Sequence, residues 1–75
     1  MDIFMIELAN DPKPYRVEAA SWGHNDDYVL TSYDADENVI DVWGQNDWFR
    51  VIGTNEKDLP MDLFVNPYVP NPKYA

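Results

Sequence analysis

The sequence predicts a small, mainly β domain: a five-stranded antiparallel meander or SH3-like barrel, followed by a proline-rich C-terminal tail. Three observations carry that expectation. Short β-branched and aromatic runs recur across residues 28–52, separated by turn residues at 34–38 and 45–47. The N-terminal runs alternate apolar and polar side chains, the period of a half-buried strand. Several short strands packed into 75 residues can also curl into a barrel, which removes exposed edges.

The first strand covers residues 2–8, with Phe4, Ile6 and Leu8 on one face and Met5 and Glu7 on the other. Asn10-Asp11-Pro12-Lys13-Pro14 then interrupts regular structure, because its two prolines remove backbone donors and fix φ. A second strand runs over residues 15–20, where Tyr15, Val17 and Ala19 alternate with Arg16 and Glu18. Residues 21–27 read as a polar connection with Trp22 embedded in it. The third strand is 28–33, and Asp34-Ala35-Asp36-Glu37-Asn38 makes a hairpin loop of side chains that bond their own backbone. A fourth strand, 39–43, turns Ile40 and Val42 inward and Asp41 to water. The fifth, 48–52, turns Phe49 and Val51 inward and Arg50 outward.

The β-domain thus spans 1–57, with an expected core of Phe4, Ile6, Leu8, Val17, Ala19, Leu30, Ile40, Val42, Phe49 and Val51. Residues 58–75 form a second segment. It opens with a short helical turn, Asp58 as N-cap and Pro60 in the first turn. Three prolines at 67, 70 and 72 then favour extended polyproline geometry. Leu63, Phe64, Tyr68 and Tyr74 are expected to pack across the barrel or a neighbouring protomer.

Aromatic residues make up 15% of the chain, which suits a small core that relies on large rings. There is no cysteine, so neither a disulfide nor a thiolate metal site can supplement that core. The absence fits a cytoplasmic protein. With 14 acidic against 5 basic side chains the net charge is −9, which repels phosphate backbones and favours basic protein partners. The N-terminal run has no basic region and is too short for a signal peptide, and no stretch approaches a membrane span. The expectation is a soluble cytoplasmic protein that binds neither membrane nor nucleic acid directly.

Asp34-x-Asp36-x-Asn38 resembles the start of a calcium loop. The pattern wants Gly where Val39 stands and a bidentate Glu where Gln45 stands, so an acidic hairpin turn is the better reading. His24, the sole histidine, has only carboxylates such as Asp26 and Asp27 as potential co-ligands, a poor zinc set. Neither Ser21 nor Ser32 sits in a nucleophile elbow. The chain is therefore read as a non-enzyme without metal or cofactor.

The aromatics and acids are more informative. Trp22, Trp43 and Trp48 lie beside Gly23, Gly44 and Asp47 at strand ends. They either cap the core or anchor a binding patch ringed by Asp26, Asp27, Asp41 and Asp47. Asp34, Asp36, Glu37 and Asp41 crowd one hairpin, with Asp26 and Asp27 at the opposite end. Carboxylates held on a rigid β-surface can imitate phosphates and occupy a nucleic-acid-binding groove. These ten residues are the candidate partner-binding set. Pro67-x-x-Pro70 is the minimum for polyproline recognition, but no basic residue precedes it in the usual way.

At Val17-Glu18-Ala19-x-Ser21-Trp22, then Tyr28-Val29-Leu30, then Tyr33-Asp34-Ala35-Asp36-Glu37-Asn38-Val39-Ile40, the chain resembles the small acidic accessory proteins encoded by bacteriophages. One departure is Glu37, where that family often has Gly. The resemblance implies host takeover or defence inhibition: binding and inhibiting a host protein with a basic surface. The alternative is a small assembly protein that forms a homo-oligomer, or docks to a virion, through edge strands and tail. A weaker third reading is a sugar- or small-ligand-binding module that uses the tryptophans.

Overall fold

In the computed structural model, which describes residues 2–54 and 57–71, the chain forms seven strands. These are β1 Asp2–Leu8, β2 Asp11–Ala19, β3 Ser21–His24, β4 Leu30–Tyr33, β5 Val39–Trp43, β6 Trp48–Thr54 and β7 Pro60–Val65. They build two antiparallel sheets, one of four strands in the order β2-β1-β6-β7 and one of three in the order β3-β4-β5. The mainly β, antiparallel expectation holds. The five-strand count and the closed barrel do not, because among the described residues each sheet keeps two open edges.

Three corrections explain the difference. The stretch around Pro12 and Pro14 belongs to β2 rather than interrupting it. It sits on an outermost strand, and the β1–β2 register shifts there, from Ile6 opposite Tyr15 to Leu8 opposite Asp11. Proline is tolerated at edges and bulges because no ladder bond is lost. The supposed polar connection after Ala20 begins with β3. The extended chain bends at Ala20, whose N–H donates to Tyr33 O at 2.8 Å, and passes from one sheet to the other. Such corners let two sheets pack at an angle around one core.

The third correction concerns Asp58 and Pro60. Asp58 adopts a left-handed φ of 58°, which excludes it from a helix start, and Pro60 opens edge strand β7. Within β7 the register to β6 shifts between Val51 and Ile52. Both Leu63 and Phe64 pack against the core, as expected of them. Leu63 fills the space a side chain at Gly53 would need: a Cβ there would lie 3.1 Å from Leu63 Cδ1. Tyr74 lies outside the described residues.

Ile6, Leu30, Trp48 and Val51 form the fully buried centre, with Phe4, Leu8, Val17, Trp22, Tyr28 and Trp43 packed on it. Ala19 and Phe49 are buried as expected, but Ile40 and Val42 are 39% and 58% exposed. The cause is one residue of phase. Trp43 stands opposite buried Leu30 and so takes the inward position on β5, which turns Val42, opposite Thr31, to the outer face.

Candidate functional site

The same five-residue turn occurs twice in the three-stranded sheet, once at each end. At residues 34–38, Asp34 Oδ1 accepts from the N–H of Asp36 and of Asn38, both at 2.9 Å, and Glu37 N–H donates to Asp34 O at 3.1 Å. At residues 25–29, Asn25 Oδ1 accepts from Asp27 and Val29 N–H, both at 3.0 Å, and Tyr28 N–H donates to Asn25 O at 3.0 Å. The fourth residue of each is left-handed, Glu37 at φ 66° and Tyr28 at φ 57°. This is a tight turn closed by a bulge, with an Asp or Asn side chain standing in for a backbone acceptor. Glu37 therefore occupies a position that Gly suits best.

The turns decide where the acids go. Asp26 and Asp27 are exposed on one turn, Asp36 and Glu37 on the other, and Asp41 is exposed on β5 between them. Asp47 joins the first group, because Gln45 Nε2 donates to Asp27 O at 3.1 Å and ties the 44–47 loop to it. Asp47 also accepts from Gly44 N–H at 3.2 Å. The two groups stand at opposite ends of β4, a strand of four residues, so roughly 10–15 Å of sheet separates them. Asp34 works as the turn's anchor: the N–H of Asn38, with that of Asp36, holds its carboxyl below the ordinary Asp value.

The three tryptophans separate into two roles. Trp48 is fully buried, and its Nε1 donates to Tyr28 O at 2.8 Å. The left-handed turn at Tyr28 thus presents the carbonyl that satisfies the buried indole. Trp48 is core, and the binding-patch reading loses it. Trp22 and Trp43 are half-buried and stacked, with centroids 5.5 Å apart, and Phe4 of the larger sheet meets Trp22 edge-on at 5.6 Å. They bridge the two sheets from within. Trp43 also lines an open cleft of about 360 Å³ with Leu8, Asn10, Asp11 and Asp47.

Two arrangements escape the sequence reading. Glu7 is fully buried, and Arg50, its cross-strand partner, donates to it from both Nε and Nη2 while also pairing with Asp62 at 3.4 Å. Desolvation works against the Arg50 charge, but the Glu7 hydrogen bond and attraction outweigh it, with Asp62 adding, and hold the guanidinium above its usual range. Alternation did place Glu7 and Arg50 on one face; nothing in it signalled burial. Asn66 is also buried: its Nδ2 donates to Gln45 O at 2.7 Å and Trp48 O at 2.8 Å. The described part of the tail is thereby fastened to β6 and to the 44–47 loop.

Among the described residues no group of three or more His, Cys, Asp or Glu is placed to hold a metal ion, and no helix is long and apolar enough to cross a membrane. His24 stacks on Tyr28 at 4.4 Å. No family model, curated protein or solved structure matches the chain.

Proposed function

We propose that the chain is a non-enzymatic binding protein of the bacteriophage accessory type, which inhibits a host protein by covering a basic surface in the host cytoplasm. The observation that carries this reading is the segregation of charge. Residues 20–47, which comprise the three-stranded sheet and its turns, hold seven of the acids and no Lys or Arg. A rigid surface of one sign steers an oppositely charged partner and orients it on arrival. Where the basic surface is a nucleic-acid groove, the carboxylates of the 34–38 turn and Asp41 take the place of phosphates and compete with the nucleic acid.

The test is affinity capture from a bacterial lysate at low and high salt, with the charge-reversed variant D34K/D36K/E37K as control. Capture of basic proteins should weaken steeply with salt and with the variant, and a nucleic-acid oligonucleotide should compete for the captured protein. Salt-insensitive capture, or none, would remove the reading.

The exposed apolar side chains of β5 favour a second reading, assembly of copies through open strand edges. Light scattering on the intact chain discriminates, since a monomer at high concentration excludes it.

A further inference from the structure

Among the described residues four strand edges are open, and they are not protected alike. On β2, Pro12, Pro14, Lys13 and a register shift blunt the edge. Four-residue β3 is short, and β7 opens on Pro60 and carries Asp62, which is engaged by Arg50. The β5 edge has no proline or lysine; its devices are a register shift near its start, where Tyr33 stands opposite Val39, and one exposed acid, Asp41. Val39, Ile40 and Val42 are all exposed on it, and among the described residues no strand lies beside it. A strand edge free of proline, with apolar side chains to offer, is the usual receptor for an added strand.

We propose that β5 receives an extended, basic segment of the partner by strand addition, with an Arg or Lys side chain seated in the Trp43 cleft. This deepens the proposed function and rests on its basic partner. Charge complementarity chooses the occupant. Asp36, Glu37 and Asp41 flank the edge, and residues 20–47 supply no Lys or Arg to neutralise them; Asp47 and Asp11, the latter attracted by Lys13, flank the Trp43 ring in the cleft. A second copy would bring the same −9 charge to the contact. A segment alternating Arg with Val would set its apolar side chains beside Val39 and Val42 and its guanidinium groups beside the acids. A guanidinium over the indole face adds a cation–π contact.

The test is titration of the full chain with an alternating Arg-Val peptide, followed by tryptophan fluorescence and calorimetry at low salt. A second peptide of the same sequence, N-methylated at alternate residues, keeps the charge but cannot complete a β-ladder. The unmodified peptide should bind at least about tenfold more tightly, and V39K/V42K, with an unchanged circular dichroism spectrum, should erase the difference. D11N/D47N should weaken both peptides. Equal binding of both peptides to the wild type would overturn strand addition and leave the acidic-surface reading standing; binding of neither would overturn both. A dimer of the free chain that V42K dissociates would overturn the basic segment as occupant in favour of a second copy.

Discussion

The two sheets share a core and divide the labour. The four-stranded sheet and its connections hold Lys13, Arg16, Arg50 and Lys57 and set two of them against its own acids: Arg50 serves Glu7 and Asp62, and Arg16 lies 3.5 Å from Glu18. The three-stranded sheet with its turns has seven acids, no Lys or Arg and, at β5, an edge without proline. Charge matched within the chain stabilises; charge left unmatched is available to something else. The difference teaches that stability and recognition can be perturbed separately here. Trp48, at the centre of the core, and Trp22, which meets Phe4 of the larger sheet edge-on, belong on the stability side.

The largest blow falls where the sheets meet. Trp48→Ala empties the centre of the core and strips Tyr28 O of its donor, for a loss of about 3–5 kcal/mol. Urea unfolding should show a molecule at the edge of stability. A loss below about 1 kcal/mol would mean that the sheets do not depend on a shared core. Next comes Arg50→Met, which acts within the larger sheet. Removing the guanidinium from a fully buried carboxylate costs about 3 kcal/mol. Capture of basic partners should be unaffected in the fraction that folds. Loss of capture at full stability would break the division between the sheets.

How far these features can be read from sequence follows the same division. Alternation in β1 and β6 is regular, and it placed Ile6, Val51, Glu7 and Arg50 on their correct faces. β5 is an edge strand with a register shift near its start, so period-two reasoning slipped by one residue and sent Ile40 and Val42 inward instead of Trp43. Pro12 and Pro14 read as breakers and Pro60 as the first turn of a helix, because the tolerance of proline in a strand depends on lying at an edge, which only the sheet order reveals. The acids of the candidate face were legible from composition. What they flank was not, since the exposure of β5 is a tertiary property.

The turns of the smaller sheet offer a gain rather than a loss. Glu37→Gly replaces a left-handed, β-carbon-bearing residue by one without the steric penalty, offset in part by greater unfolded-state freedom. A net stabilisation of about 0.5 kcal/mol is expected, readable as a rise in Tm of a few degrees. Because the variant also removes one acid, it should bind a basic partner slightly less well while folding slightly better. Opposite signs in the two measurements are what separated roles require.

The smallest effect concerns acid. Asp34 has its carboxyl held below the ordinary value of 3.8 by the N–H groups of Asn38 and Asp36. In the unfolded chain that restraint is gone, so below pH 3.8 the unfolded state binds more protons than the native one, and stability falls with pH. The contribution is complete above the unfolded value and disappears as pH drops through the folded one. Asn in this position still presents Oδ1 to the same N–H groups, as Asn25 does in the matching turn. Asp34→Asn should therefore preserve the hairpin while removing that slope, and the stabilities of the two proteins should draw together only below pH 3.8. Asp11 on the larger sheet is depressed as well, by Lys13 N–H and then the Tyr15 hydroxyl, so the wild-type acid transition has a contribution from each sheet. A carboxyl titration by NMR assigns them. If Asp34 titrates at or above its ordinary value, the turn is not anchored as described and the display of Asp36 and Glu37 loses its support.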